Sequence, residues 1–392
     1  MEALSSQASS LLRRDLSSSL TDWKGLGEML IEEENSTSSG YSWAAPSLDI
    51  ALSQVASEQS RANWIDVLKA LTAWGVIEYA SAIVVSPFEV ATTLLQVQWV
   101  PKDMSRPTLL GTRIGGLVVS RHAIRAGSAG GIWGMMRALV AHEGWLALLK
   151  GSQVAGLIEI LSTVAQPIIL GLLDFSAEVA GIPIGHSSLV LQVASHVLTG
   201  LLLSPLELIR TRLIVHSSDP KLRPSSGMWD ELLQILRHEG GWPGIYFHPN
   251  LLIPALLDNT LRSVTSIALP AVLAPHVASG MSTKVLCGCV GLLVTLPFET
   301  VRRRLQLQVR GFERTIATSV QVRPVPYNGV IDALWHIATE ERADLPLHPS
   351  VLENEFAKAQ YPGADGGRFM DRFPGVGQLF RGWGLSLLAS IV

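Results

Sequence analysis

The 392-residue sequence predicts an all-α membrane protein, and three observations carry that prediction. Hydrophobic residues make up 48% of the chain and charged residues 16%, with a mean hydropathy of +0.32. That is more apolar than a soluble protein that must cover its surface with charge. Five stretches, near 64–86, 152–173, 187–204, 250–274 and 280–296, approach the roughly 20 apolar residues a helix needs to cross a bilayer. Three of these stretches end in the same kind of phrase, spaced as a repeat.

Residues 1–60 come first and read as a polar extension expected to be disordered. Ser clusters, Arg13 and Arg14 mix there with Glu2, Asp15 and the run Glu32 to Glu34. The acids, and the lack of a long apolar core, argue against a transit peptide and a secretory signal. Glu78, Glu159, His196, Asp258 and Arg262 interrupt the apolar stretches that follow. Polar groups at such depth face a bundle interior rather than lipid.

The recurring phrase is Ser86-Pro87-Phe88-Glu89, then Ser204-Pro205-Leu206-Glu207, then Leu296-Pro297-Phe298-Glu299. Its prolines stand 118 and then 92 residues apart. Three residues beyond the acid come Thr92, Arg210 and Arg302, so two copies carry a base and one does not. A second phrase follows each copy. It reads Glu143-Gly144-Trp145 through Lys150-Gly151 in the first repeat, and Glu239-Gly240 through Phe247-His248 in the second. In the third, Glu340-Glu341 is separated by an insert at 342–374 from Gly377 through Arg381-Gly382.

These phrases resemble the signature of the mitochondrial carrier family, P-x-[DE]-x-x-[KR] followed by E-G-x-x-x-x-aromatic-[KR]-G. The resemblance covers about 64–390 and divides the chain into repeats at 61–182, 183–277 and 278–392, the last carrying the insert. It implies a carrier-like bundle of three helix pairs with an incomplete sixth helix, since only Leu385 to Val392 remain after Gly384. Pro87, Pro205 and Pro297 are expected to kink three helices toward a common axis. By the same resemblance Glu89 pairs with Arg210 and Glu207 with Arg302, closing the cavity at one end. Glu299 meets Thr92 and lacks its base, which is costly for a buried carboxylate. Gln96 and Gln306 stand where the family places a bracing glutamine. Arg303, one residue out of phase, is expected to face elsewhere.

Working carriers have a second acid–base ring at the far end of the even helices. The corresponding stretches, Ile169 to Leu173 and Ile267 to Pro270, hold no charge pair. Glu159, Asp258 and Arg262 remain as possible cavity residues, although Asp258 and Arg262 are four apart and suited to satisfy each other. A bundle without its far gate is expected not to exchange solutes, because alternating access needs two gates. The pattern of losses is similar to the modified carriers of the fungal mitochondrial outer membrane that act in mitochondrial fusion. That resemblance implies an outer-membrane adaptor, working with membrane lipids, an outer-membrane fusion GTPase and an inner-membrane dynamin-like GTPase, with homo-oligomers open. The alternative is a solute transporter of the inner membrane.

No enzyme is expected. Walker loops, dinucleotide fingerprints, H-E-x-x-H and nucleophile elbows are missing from the sequence. The ten histidines are scattered, so neither a metal nor a cofactor is implied. Cys287 and Cys289 point apart on a helix and do not suit a mutual disulfide. The net charge of −3 excludes a basic nucleic-acid surface. Basic residues gather after the odd helices, at Lys102 to Arg125, Lys221 to Arg237 and Arg302 to Arg314, and are expected to share one side of the membrane. With five spans, the two ends are expected on opposite sides.

Overall fold

The computed structural model describes residues 64–100, 113–114, 117–124, 131–181, 188–218, 227–273, 281–308, 316–323, 325–341 and 373–391. The extension at 1–60, and all but the end of the insert at 342–374, lie outside the described residues.

Three times over, a long helix with an internal proline is followed by a short surface helix, a single turn and a further helix. First come α1 (Trp64–Val97, with Pro87), strands β1 (Arg113–Ile114) and β2 (Leu117–Ile124), α2 (Gly131–Glu143), the 3-10 turn Trp145–Leu149 and α3 (Ser152–Val179). Next come α4 (Leu189–Val215, with Pro205), α5 (Met228–His238), α6 (Gly241–Tyr246) and α7 (Pro249–Ser263). The helix of α7 continues through a π turn, Val264–Ala268, into α8 (Leu269–Leu273). Last come α9 (Met281–Gln306, with Pro297), β3 (Ile316–Val320), α10 (Val330–Glu340), α11 (Val376–Leu379) and α12 (Trp383–Ile391).

Among the described residues, four segments are long and apolar enough to cross a membrane: Leu71–Val97, Trp145–Val179, Leu189–Val215 and Val285–Gln306. The remaining stretch is helical but irregular over 250–273. Its π turn directly precedes Pro270, whose missing N–H and ring clash disturb the regular ladder. Leu161, Val164, Ile168, Leu172 and Phe175 are exposed along α3, as expected of side chains facing hydrocarbon. The last helix, α12, has nine residues, about 14 Å of rise.

Neighbouring helices pack in the order α1, α3, α4, α7, α9, α12, and the three proline helices also touch one another. Close approach has a visible cause at two places. A Cβ on Gly156 of α3 would stand 2.3 Å from the Tyr79 ring of α1, and one on Gly200 of α4 would stand 2.6 Å from Asn259 of α7. Three buried clusters repeat the order of the chain. Each joins the end of a proline helix to a surface helix: Leu94 with Met135 and Leu139, Leu208 and Ile209 with Ile235, and Val301 and Leu305 with Ala333 and Ile337.

The purely helical expectation needs one addition, a small sheet of order β1-β2-β3. The first pair is antiparallel, and β2 runs parallel to β3, with Val118 opposite Ala317 and Val119 opposite Thr318. On its other side β3 meets the chain leaving α4, where His216 bridges Thr318 and the Ser217 N–H donates to the Ala317 carbonyl at 2.8 Å. The chain leaving α1 joins too, with the Trp99 N–H donating to the Gln321 carbonyl at 2.8 Å. The segments that follow all three proline helices are thus woven together.

Candidate functional site: two stacked charge rings above a buried plug

Beyond each proline the three helices carry an acid that faces the axis. Glu89 pairs with Arg210, and Glu207 pairs with Arg302, the two pairs that the family resemblance implies. The third link differs from expectation. Glu299 is paired with Arg303 of its own helix at 2.6 Å and approaches Arg262 at 3.5 Å. Arg303 in turn donates to the side-chain oxygen of Gln96 on α1 at 2.6 Å. Arg303 therefore lies in the ring, because residues four apart share a helix face. It replaces the base missing at Thr92, and the seam between α9 and α1 is joined through a neutral glutamine.

Asp258, fully buried on α7, extends this ring. It accepts from Arg262 at 3.4 Å and sits 3.1 Å from the Arg302 guanidinium. Asp258 and Arg262 are thus absorbed into an alternating chain of charges from Glu207 through Arg302, Asp258, Arg262 and Glu299 to Arg303. Glu159 is exposed on α3, where its backbone carbonyl accepts from Ser162 and Thr163. A cavity of about 370 Å³ opens beside it between α3 and α4. It is lined by Ser162, Thr163, Gln166, His196, Thr199 and the ring residue Glu207, together with Ile158, Gly200 and Leu203. Among the three expected cavity residues, none lines it. Among the described residues, no His, Cys, Asp and Glu side chains are grouped to hold a metal ion.

A second ring lies five residues beyond the acids of the first, about 8 Å further along the helices. Arg212 of α4 pairs with Glu239, the acid that opens the second phrase; the two side chains are wholly buried. Arg304 of α9 pairs with Glu341 in the same way and also donates to the Tyr327 hydroxyl at 3.1 Å. In the first repeat the equivalent of these arginines is Leu94, and Lys150 supplies the cation to Glu143 instead.

Each of these cations also reaches the end of a neighbouring proline helix. Arg304 donates to the carbonyls of Gln96 (2.8 Å) and Gln98 (3.2 Å) at the end of α1. Arg212 donates to those of Gln306 (3.0 Å) and Gln308 (3.3 Å) beyond α9. Lys150 donates to the His216 carbonyl at 2.5 Å, beyond α4. The last carbonyls of a helix lack intrahelical partners and carry the negative end of its dipole. A buried cation that meets them, while paired with its own glutamate, satisfies both sides of a costly burial. The links run in one direction around the ring, third repeat to first, second to third and first to second.

Gln306, expected to brace the outer ring, instead accepts from the Thr211 hydroxyl at 2.9 Å. Gln96 does serve that ring, through Arg303, and its amide also donates to the Arg381 carbonyl at 3.2 Å. Arg381 donates back to the Leu95 carbonyl at 2.8 Å. Burial, and then the Arg304 charge, pull its guanidinium down to about 10.

Below the second ring the woven segments form a plug. Leu94, Leu95, Val97, Ile124, Ile214, Val215, Leu307, Val320 and Val322 make one buried cluster drawn from all three repeats. The Ser319 hydroxyl donates to the Val215 carbonyl at 3.2 Å, tying β3 to the end of α4. The inner ring was open to sequence reasoning: a base seven residues past the proline, and an acid opening the next phrase, recur together in two repeats. The plug gave no such sign. Compared with known proteins, the chain matches no family model and no curated protein sequence.

Proposed function

We propose that this chain is a modified mitochondrial carrier of three repeats, held in the outer membrane as an adaptor for membrane fusion rather than as a solute exchanger. The observation that carries the reading is the sealed end of the bundle. A transporter must open there, and here that would break the Ser217–Ala317 and Trp99–Gln321 backbone hydrogen bonds as well as side-chain pairs. Each buried cation would also leave the end of the neighbouring proline helix. Such a bundle is a rigid membrane anchor, suited to presenting its extension and its insert to partners. The partners proposed are the outer-membrane fusion GTPase and the inner-membrane dynamin-like GTPase.

One pair of observations favours the second reading, a solute transporter of the inner membrane. The outer ring is closed through Arg303 and Gln96, and a cavity of about 370 Å³, whose lining includes Gln166, His196 and the ring residue Glu207, opens between α3 and α4.

Location and activity separate the two. Carbonate-resistant recovery with an outer-membrane marker, and co-isolation with a fusion GTPase, are the expected results. Recovery with an inner-membrane marker, or saturable counter-exchange of a metabolite by the purified chain in liposomes, would overturn the adaptor reading.

A further inference from the structure

The surface helix of the third repeat departs from its two counterparts in one respect. Asp332, His336 and Glu340 stand four residues apart along α10 and so share one face. The imidazole lies between the two carboxylates, with Nδ1 2.7 Å from Glu340 Oε1 and Nε2 3.1 Å from Asp332 Oδ1. Counted back five residues from the inner-ring acids Glu341, Glu239 and Glu143, the equivalent positions hold His336, Gln234 and Ala138. The third repeat alone puts a histidine there, with a carboxylate on either side.

Neutral imidazole carries one N–H, and its other nitrogen is a bare lone pair. In either tautomer that lone pair faces a carboxylate oxygen at 3.1 Å or less, and the contact is repulsive. The imidazolium carries N–H on both nitrogens, which makes both contacts attractive. The charges nearby ask for the same form. Among the described residues, the ionisable groups around His336 are Asp332 and Glu340 of α10, and Arg323 and Tyr327 of the chain between β3 and α10. Arg323 donates to Glu340 at 3.0 Å and lies 4.8 Å above the Tyr327 ring, whose centroid is 6.5 Å from the imidazole. Two carboxylates thus meet one guanidinium, and a protonated His336 supplies the second positive charge.

Both ends of α10 converge on this ring. Asp332 accepts from the Asn328 N–H at 2.8 Å where the helix begins. Glu340 is the last helical residue, and its neighbour Glu341 pairs with Arg304 of the inner ring, which also donates to the Tyr327 hydroxyl at 3.1 Å. We propose that His336 is a proton-operated clasp on the last turn of α10, from which the insert departs. Protonated, it holds Glu340 and Asp332 together on one face and keeps that turn seated beside the inner ring. Deprotonated, it repels one of them and loosens the turn. A histidine changes charge in a pH range where arginines and ordinary carboxylates do not. The grip is present on the acidic side of the imidazole titration and is lost as pH rises through it. The inference does not depend on whether the bundle is an adaptor or a transporter.

The test follows hydrogen exchange in the last turn of α10 in the full chain, held in lipid nanodiscs, from about pH 5 to about pH 8. Rates are corrected for intrinsic exchange at each pH. Protection is expected to fall roughly fivefold as pH rises, the size suited to a partly exposed pair. In His336→Gln, which cannot take up the proton, the profile should be flat. In Asp332→Asn, which removes one carboxylate and keeps an acceptor for the Asn328 N–H, the fall should move to lower pH. That shift decides the matter even if His336→Gln does not fold. A flat profile in the unaltered chain, a fall that survives His336→Gln, or a midpoint that Asp332→Asn leaves in place would each overturn the clasp.

Discussion

Arg302, Arg303 and Arg304 are consecutive, yet each has a different task, because successive helical residues point about 100° apart. Arg302 joins Glu207 and Asp258, Arg303 joins Glu299 and Gln96, and Arg304 joins Glu341 and the end of α1. Their costs on removal should differ in that light. Arg304→Ala strands a buried carboxylate and two helix-end carbonyls, and is expected to cost about 3–5 kcal/mol. Arg303→Ala leaves Glu299 with Arg262 at 3.5 Å and should cost less. Arg210→Ala should cost least, roughly 1 kcal/mol, because its partner Glu89 is 37% exposed. Repeat spacing alone, which puts Arg210 at the pairing offset and Arg303 one residue out of phase, would set Arg210 above Arg303. Thermal unfolding of the three purified variants tests it; a smaller loss for Arg304→Ala than for Arg210→Ala would refute the inner ring. Arg302 was legible in sequence because it stands at the repeat offset. Arg303 was misjudged because that offset was applied to all three repeats, whereas its spacing from Glu299 already put the two on one face.

At the scale of elements, the proline helices and surface helices were legible because apolar periodicity and repeated phrases mark both. The sheet was not. Its strands are short and lie between long helices, and their pairing depends on three chain ends brought together by packing. Two predictions belong here. A Cβ on Gly200 would meet Asn259 between α4 and α7, so Gly200→Ala should destabilise by about 1–3 kcal/mol, as overpacking does. Changing Asn259 to Gly in the same chain should relieve part of the loss; an additive loss in thermal unfolding would contradict the contact. The second concerns α10, where Glu340 meets His336 at 2.7 Å and Arg323 at 3.0 Å. Burial raises its carboxyl, but the His336 hydrogen bond and the Arg323 charge outweigh burial and hold it below the ordinary value of 4.5. A carboxylate held low stabilises the folded state above that value, and the contribution disappears as pH falls through the lowered one. Protection factors of the α10 amides, corrected for the intrinsic exchange rate, should therefore fall on acidification below about pH 4.5, and Glu340→Gln should show the lower protection already at neutral pH. The effect is modest, up to roughly 1 kcal/mol, because the pair is partly exposed.

Whether the whole molecule opens depends on the plug. Ring ion pairs alone can exchange partners as a bundle rocks, since each broken pair can be replaced by another. Backbone pairing across the axis is different, because no alternative partners stand ready once β3 leaves the chain ends of α1 and α4. Ser217 and Ala317 lie opposite each other beside the His216–Thr318 bridge, and both are buried. Opposed residues in an antiparallel pair have Cα atoms about 5.5 Å apart when hydrogen-bonded, within the range a disulfide accepts. In a chain lacking Cys287 and Cys289, the double change Ser217→Cys and Ala317→Cys should form a disulfide without displacing the fold. If the plug is permanent, the oxidised and reduced forms should bind partners equally and should both fail to exchange solutes in liposomes. The oxidised form should also unfold at a higher temperature, because the cross-link restricts the unfolded chain. If the reduced chain carried out counter-exchange that oxidation abolished and reduction restored, the plug would be a moving gate and the bundle a transporter.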